Sequence, residues 1–139
     1  MSERPSNEQT EVDKYSIATI LDFGDMHEAF IVMDVAVAIM YLMVDNTFMD
    51  PLDVGGHVLM GFNQCNALNE HEFDALRVLT AGRFVQSLVM GAYSYSQDPG
   101  NEYLLLTAKR GWQVLGKLWE TPKADLYLRW RNIMKTYQS

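Results

Sequence analysis

From Glu28 to Val44 the chain runs Glu-Ala-Phe-Ile-Val-Met-Asp-Val-Ala-Val-Ala-Ile-Met-Tyr-Leu-Met-Val, apolar on nearly every face a helix can present. Such a helix is either buried all round or spans a membrane. The run is short for a bilayer and carries Asp34 near its centre, where a charge in hydrocarbon is costly. The sequence therefore predicts a core helix with others packed about it and no membrane partner. A buried Asp34 needs hydrogen-bond partners, which makes it a structural brace before it is a reacting group.

The segments that follow supply those neighbours. Asp45-Asn46-Thr47 punctuates the end of the first helix, and Pro51 opens a short one running through Val54 to Phe62. Within it, Gly55-Gly56 either lets two backbones approach closely or loosens the segment. Asn69-Glu70-His71-Glu72 has the form of a capping box, with Asn69 as cap and Glu72 reaching back, and starts a helix expected to reach about Tyr95. Asp98-Pro99-Gly100-Asn101 then makes a turn. A further helix is expected from Glu102 to Trp119, and Thr121-Pro122 separates it from a last one ending near Thr136. With 48% hydrophobic and 21% charged residues in a chain of 139, one mainly α domain with a substantial core is the expectation.

Upstream lies a different texture. Ile17-Ala18-Thr19-Ile20-Leu21 is a β-branched apolar run that fits a short buried strand over Tyr15 to Phe23, alone or in a hairpin. It delivers Asp22 at its end, then Gly24, where the chain must turn, and a second acid, Asp25. A carboxylate held there by a rigid scaffold suits a hard cation such as Mg²⁺, which prefers one or two carboxylates together with phosphate oxygens. Residues 1–14 are polar and form a lead-in with too little apolar surface to offset the entropy of ordering.

Several function classes are disfavoured. A net charge of −7 argues against nucleic acid, whose phosphates demand basic patches. The single cysteine, Cys65, cannot form an internal disulfide, reads as an inert small hydrophobe, and fits a reducing compartment; the N-terminus has no apolar targeting core. Neither a phosphate-cradling glycine loop nor a Gly-x-Ser-x-Gly elbow is present. His27, His57 and His71 have no partners at metal-ligand spacing. Arg83, mid-helix, either pairs with a carboxylate of another helix or lines a substrate cleft, and pairing is the commoner fate of such a group. Trp112, Trp119 and Trp130 could cage a cationic amine, although at helical spacing aromatic residues more often pack a core.

Asp22-Phe23-Gly24 has the form of the metal-binding tripeptide of kinase-like phosphotransferases, and Asp34-Val35-Ala36 follows twelve positions on. The pair resembles the Asp-x-Gly … Asp-(Leu/Ile/Val)-Ala pattern of the aminoglycoside phosphotransferase and choline kinase superfamily. Within it, Ile20-Leu21-Asp22-Phe23-Gly24-Asp25-Met26, Pro51-Leu52-Asp53-Val54-Gly55-Gly56-His57, Ala81-Gly82-Arg83-Phe84-Val85-Gln86-Ser87-Leu88 and Glu102-Tyr103-Leu104-Leu105-Leu106-Thr107-Ala108-Lys109 resemble the hydroxylysine kinase family, over about residues 15 to 120.

That resemblance implies a fold, a site and a reaction. Residues 15–139 would be the helical C-terminal lobe of a protein-kinase-like fold, with the N-lobe and catalytic loop absent from this chain, which is about half the length of a complete small-molecule kinase. The intact enzyme would transfer the γ-phosphoryl of GTP, with Mg²⁺, to the hydroxyl of 5-hydroxy-L-lysine in the cytoplasm. Asp22, with Asp25 as a second candidate, would hold the metal, and Asp34 would brace the site. The family's His-x-Asp-x-x-x-x-Asn catalytic loop has no match, since no histidine precedes Asp22. No catalytic residue is therefore expected here, and the isolated chain is expected to be inactive. The acceptor-binding residues are unassigned. The alternative is a non-catalytic helical module that binds a protein partner through surface left open by the missing N-terminal half.

Overall fold

A computed structural model describes residues 16–21, 23–24 and 28–138. Its described residues form five helices: α1 (Ile31–Asp45), α2 (Pro51–Asn63), α3 (Glu70–Gln97), α4 (Glu102–Glu120) and α5 (Lys123–Thr136). The mainly α fold expected from the sequence is what is observed. Among the described residues there is no β-strand. Residues 16–21 run without regular structure, and Tyr15 and Asp22 of the expected strand lie outside the described residues. No described helix is long and apolar enough to cross a membrane.

The helix starts follow the local chemistry. Asp50 accepts a hydrogen bond from the Leu52 amide (3.0 Å) and Pro51 takes the first position of α2, where its missing N–H costs nothing. Asn69 accepts from the Glu72 amide while Glu72 accepts from the Asn69 amide, both at 2.9 Å, completing the capping box of α3.

The helix ends are closed from a distance. α1 has no basic residue in its last turn, and Arg110 of α4 instead donates to the carbonyls of Val44 and Asn46. Arg77 of α3 likewise donates to the carbonyls of Trp119 (2.6 Å) and Thr121 at the end of α4, with its guanidinium 4.4 Å from the Trp119 ring centroid. A cation on the last carbonyls satisfies acceptors that lack intrahelical donors and complements the helix dipole.

The core collects one face of each helix. From α1 come Val32, Val35, Ala36, Ile39, Met40, Met43 and Val44, at i, i+3, i+4 spacing, and the same cluster takes in Leu76, Phe84, Leu118, Leu126 and Trp130. The expectation that α1 is buried all round is corrected: Met33, Tyr41 and Leu42 are exposed, Leu42 at 50%. Apolar content shows that a helix can bury every face, but the number of neighbours decides how many faces it does bury.

α2 and α5 make the tightest seam. A methyl group at Gly55 would collide with the indole of Trp130, and one at Gly56 would sit 2.8 Å from Ile133. The glycine pair therefore admits a close backbone approach. Trp130 is fully buried, and its indole N–H donates to the Leu52 carbonyl at 2.7 Å. Phe73, Tyr127 and Trp130 pack as an aromatic group at this junction, with centroids 4.9 to 6.4 Å apart.

Candidate functional site

Asp22 and Asp25, the carboxylates assigned to a metal, lie outside the described residues, as does His27. Among the described residues no group of three or more His, Cys, Asp or Glu side chains gathers that could hold a metal ion. His57 makes a 3.1 Å hydrogen bond with the Tyr137 hydroxyl, and His71 is exposed.

Asp34 is placed differently from expectation. It stands in the first turn of α1 on the exposed side, with no hydrogen bond or ion pair among the described residues. It does not sit in the core. Its carboxylate lines a groove of about 430 Å³ between the start of α1 and the middle of α3. Met33, Val37, Val78 and Leu79 form the apolar walls, and Arg83 and Gln86 are the polar groups on the α3 side. The size and the mixture of apolar wall with few polar groups suit a small molecule.

Arg83 is the unusual member of this groove. Its Nη1 donates to the Gln86 side chain at 2.8 Å and its Nη2 to the Tyr41 hydroxyl at 3.2 Å, with the guanidinium 5.7 Å from the Tyr41 ring centroid. Its Nε is out of solvent and has no acceptor among the described residues. No carboxylate pairs with it among the described residues, so of the two fates open to Arg83 the structure shows the cleft-lining one.

Several charged groups elsewhere are paired. Arg129 bonds both Asp50 (3.1 Å) and Asp53, and Lys117 bonds Asp50 at 2.9 Å, tying α4 and α5 to the start of α2. Burial alone would push the Asp50 carboxyl up, but hydrogen bonds from Lys117, the Leu52 amide and Arg129 outweigh it and hold the group below the usual carboxylate range. The bond to Asp53 raises the Arg129 guanidinium above its ordinary value, against a smaller opposing effect of burial. Burial likewise raises the Tyr127 phenol, whose hydroxyl donates to the Asp74 carbonyl at 2.8 Å and accepts from the Arg77 amide at 3.0 Å. Arg131 meets Glu70 at 2.9 Å and lies over the Phe73 ring.

Across α3 from the Asp34 groove lies a second, more apolar one of about 500 Å³ between α3 and α4, and Val78 and Gly82 border both. Trp112 (53% exposed) and Trp119 (54%) form its α4 wall, so only Trp130 of the three tryptophans is a core residue. With one face of Trp119 taken by Arg77, the set does not close into an aromatic cage among the described residues. Cys65 is exposed after α2 rather than packed as a small hydrophobe.

Sequence comparison completes the description. No family model matches the chain, and no solved structure matches it. Four curated proteins do, three of which follow. The chain is 43% identical over 126 residues to hydroxylysine kinase of Mus musculus, covering 90% of this chain and 33% of that protein. It is 43% identical over 118 residues to hydroxylysine kinase of Danio rerio, covering 84% and 33%, and 39% identical over 136 residues to that of Xenopus laevis, covering 97% and 36%. The chain thus spans about a third of the length of the curated relatives it matches. These similarities relate it to proteins named as kinases. More narrowly, it is homologous to a segment of the hydroxylysine kinases, the family its motifs resemble.

Proposed function

We propose that the chain is part of a small-molecule phosphotransferase that uses GTP and Mg²⁺ to phosphorylate the hydroxyl of 5-hydroxylysine in the cytoplasm. The observation that carries this reading is the 43% identity over 126 residues to a protein named hydroxylysine kinase. Residues 15–139 would be its helical C-lobe and residues 1–14 a lead-in. Asp22 and Asp25 supply a donor set of hard carboxylates, which is the chemistry Mg²⁺ selects. When bound, Mg²⁺ with GTP would neutralise the charge that develops on the transferred phosphoryl group. Asp34, exposed at the start of α1, would brace a loop from outside the described residues.

On its own this chain is proposed to be inactive, because the Asp that takes the acceptor's proton and its partner Asn have no match in the sequence. The test is a chimera in which residues 15–139 replace the matching segment of Mus musculus hydroxylysine kinase. GTP- and Mg²⁺-dependent phosphorylation of hydroxylysine is expected of the chimera, with loss of at least about a hundredfold in Asp22→Asn, the scale of removing one transition-state contact. Equal activity of the Asp22→Asn chimera would contradict the assignment.

A further inference from the structure

Five arginines lie among the described residues, and four of them end on a carboxylate or a main-chain carbonyl. Arg77 and Arg110 close helix ends, Arg129 holds Asp50 and Asp53, and Arg131 holds Glu70. Arg83 alone is held only by neutral side chains, Tyr41 and Gln86, from two different helices. Those two bonds orient the guanidinium without neutralising it. A partly buried guanidinium in that condition gains more from an incoming carboxylate than one already paired, because its desolvation is already paid and the new bonds are charge-assisted.

The opposite charge in the same groove is also unpaired among the described residues. Asp34 has no partner among the described residues, and it shares the groove with Arg83 and with apolar side chains of α1 and α3. One anion, one cation and an aliphatic wall match the three parts of an amino acid with a methylene chain. We propose that the α1–α3 groove binds the amino-acid end of the acceptor, with Arg83 taking the carboxylate, Asp34 an ammonium group, and Val37 and Leu79 the methylenes. One carboxylate oxygen of Asp34 suffices for an ammonium, leaving the other for the bracing role. The assignment rests on the kinase reading only in naming hydroxylysine as the ligand.

The test is a titration of the ¹⁵N-labelled 139-residue chain with 5-hydroxylysine, followed by amide shifts, beside lysine and the carboxylate-free 1,5-diaminopentane. Saturable shifts are expected in the first turn of α1 and around residues 78–86 of α3. Affinity should fall at least about tenfold for the diamine and for Arg83→Gln, the scale of one charge-assisted contact, and should fall in Asp34→Asn. Absence of shifts in the groove, shifts confined to other helices, or an Arg83→Gln chain that binds as well as wild type would each overturn the proposal. Arg83-dependent binding together with an inactive chimera would instead uphold the groove and sink the kinase reading.

Discussion

Arg129 on α5 and Arg83 on α3 sit in opposite circumstances. Around Arg129 every charge is answered: Asp50, Asp53 and Lys117 are joined, the cap of α2 is filled, and glycines let Trp130 close over the seam. Around Arg83 the guanidinium is oriented but meets no carboxylate among the described residues, and Met33, Val37, Val78 and Leu79 line a groove beside it. Complete pairing is what structural charge does in a fold, since an unpaired buried group costs more than a bond returns. The contrast divides the helices into an α2–α5 end built for stability and an α1–α3 face built for a ligand.

The largest effect that could break this division belongs to Trp130. Trp130→Ala should destabilise the chain by about 3–5 kcal/mol in urea unfolding, the range for a large aromatic lost from a core, and hydroxylysine affinity in the surviving native fraction should not change. Next comes Gly55→Ala, which drives a methyl into the indole and should cost about 1–3 kcal/mol, as overpacking does. A neutral result there would mean that α2 and α5 are not closely packed. Arg129→Gln should cost about 1 kcal/mol, since the pairs are partly exposed but form a network.

A smaller effect appears with pH. Because the folded Asp50 carboxyl titrates below its unfolded value, its contribution is complete above that unfolded value, near 4, and disappears as the pH falls through the lower folded one. Thermal melts between roughly pH 4 and 2 should therefore fall less steeply for Asp50→Asn than for wild type. The smallest effect is expected on the other side. Asp34→Asn and Arg83→Gln should leave stability within about 0.5 kcal/mol of wild type, and a larger loss in either would show that the groove is structural after all.

The sequence and the structure agree where the signal is local. Asn69 and Glu72, Pro51 and Asp98-Pro99-Gly100 mark helix limits within a residue or two, because caps and turns are set by side chains a few positions apart. The close approach at Gly55-Gly56 was one of two options in the sequence, and the partner that decides it, Trp130, is distant along the chain. The exposure of Asp34 and of Trp112 and Trp119 was not legible for the same reason: helical spacing tells which residues share a face, not what that face meets. Nor did Arg110 or Arg77 carry any signal as caps. The missing basic residue in the last turn of α1 is the clue that a cation must come from elsewhere. Asp22 and Asp25, expected to hold a metal, lie outside the described residues.

The most direct test of the division pairs two variants in one calorimetric experiment, reading the melting temperature and the hydroxylysine affinity of Arg83→Gln and Arg129→Gln. The account predicts that Arg83→Gln melts with wild type and loses at least about tenfold in affinity, while Arg129→Gln melts earlier and binds as wild type. An Arg83→Gln chain that melts early and binds normally would contradict it.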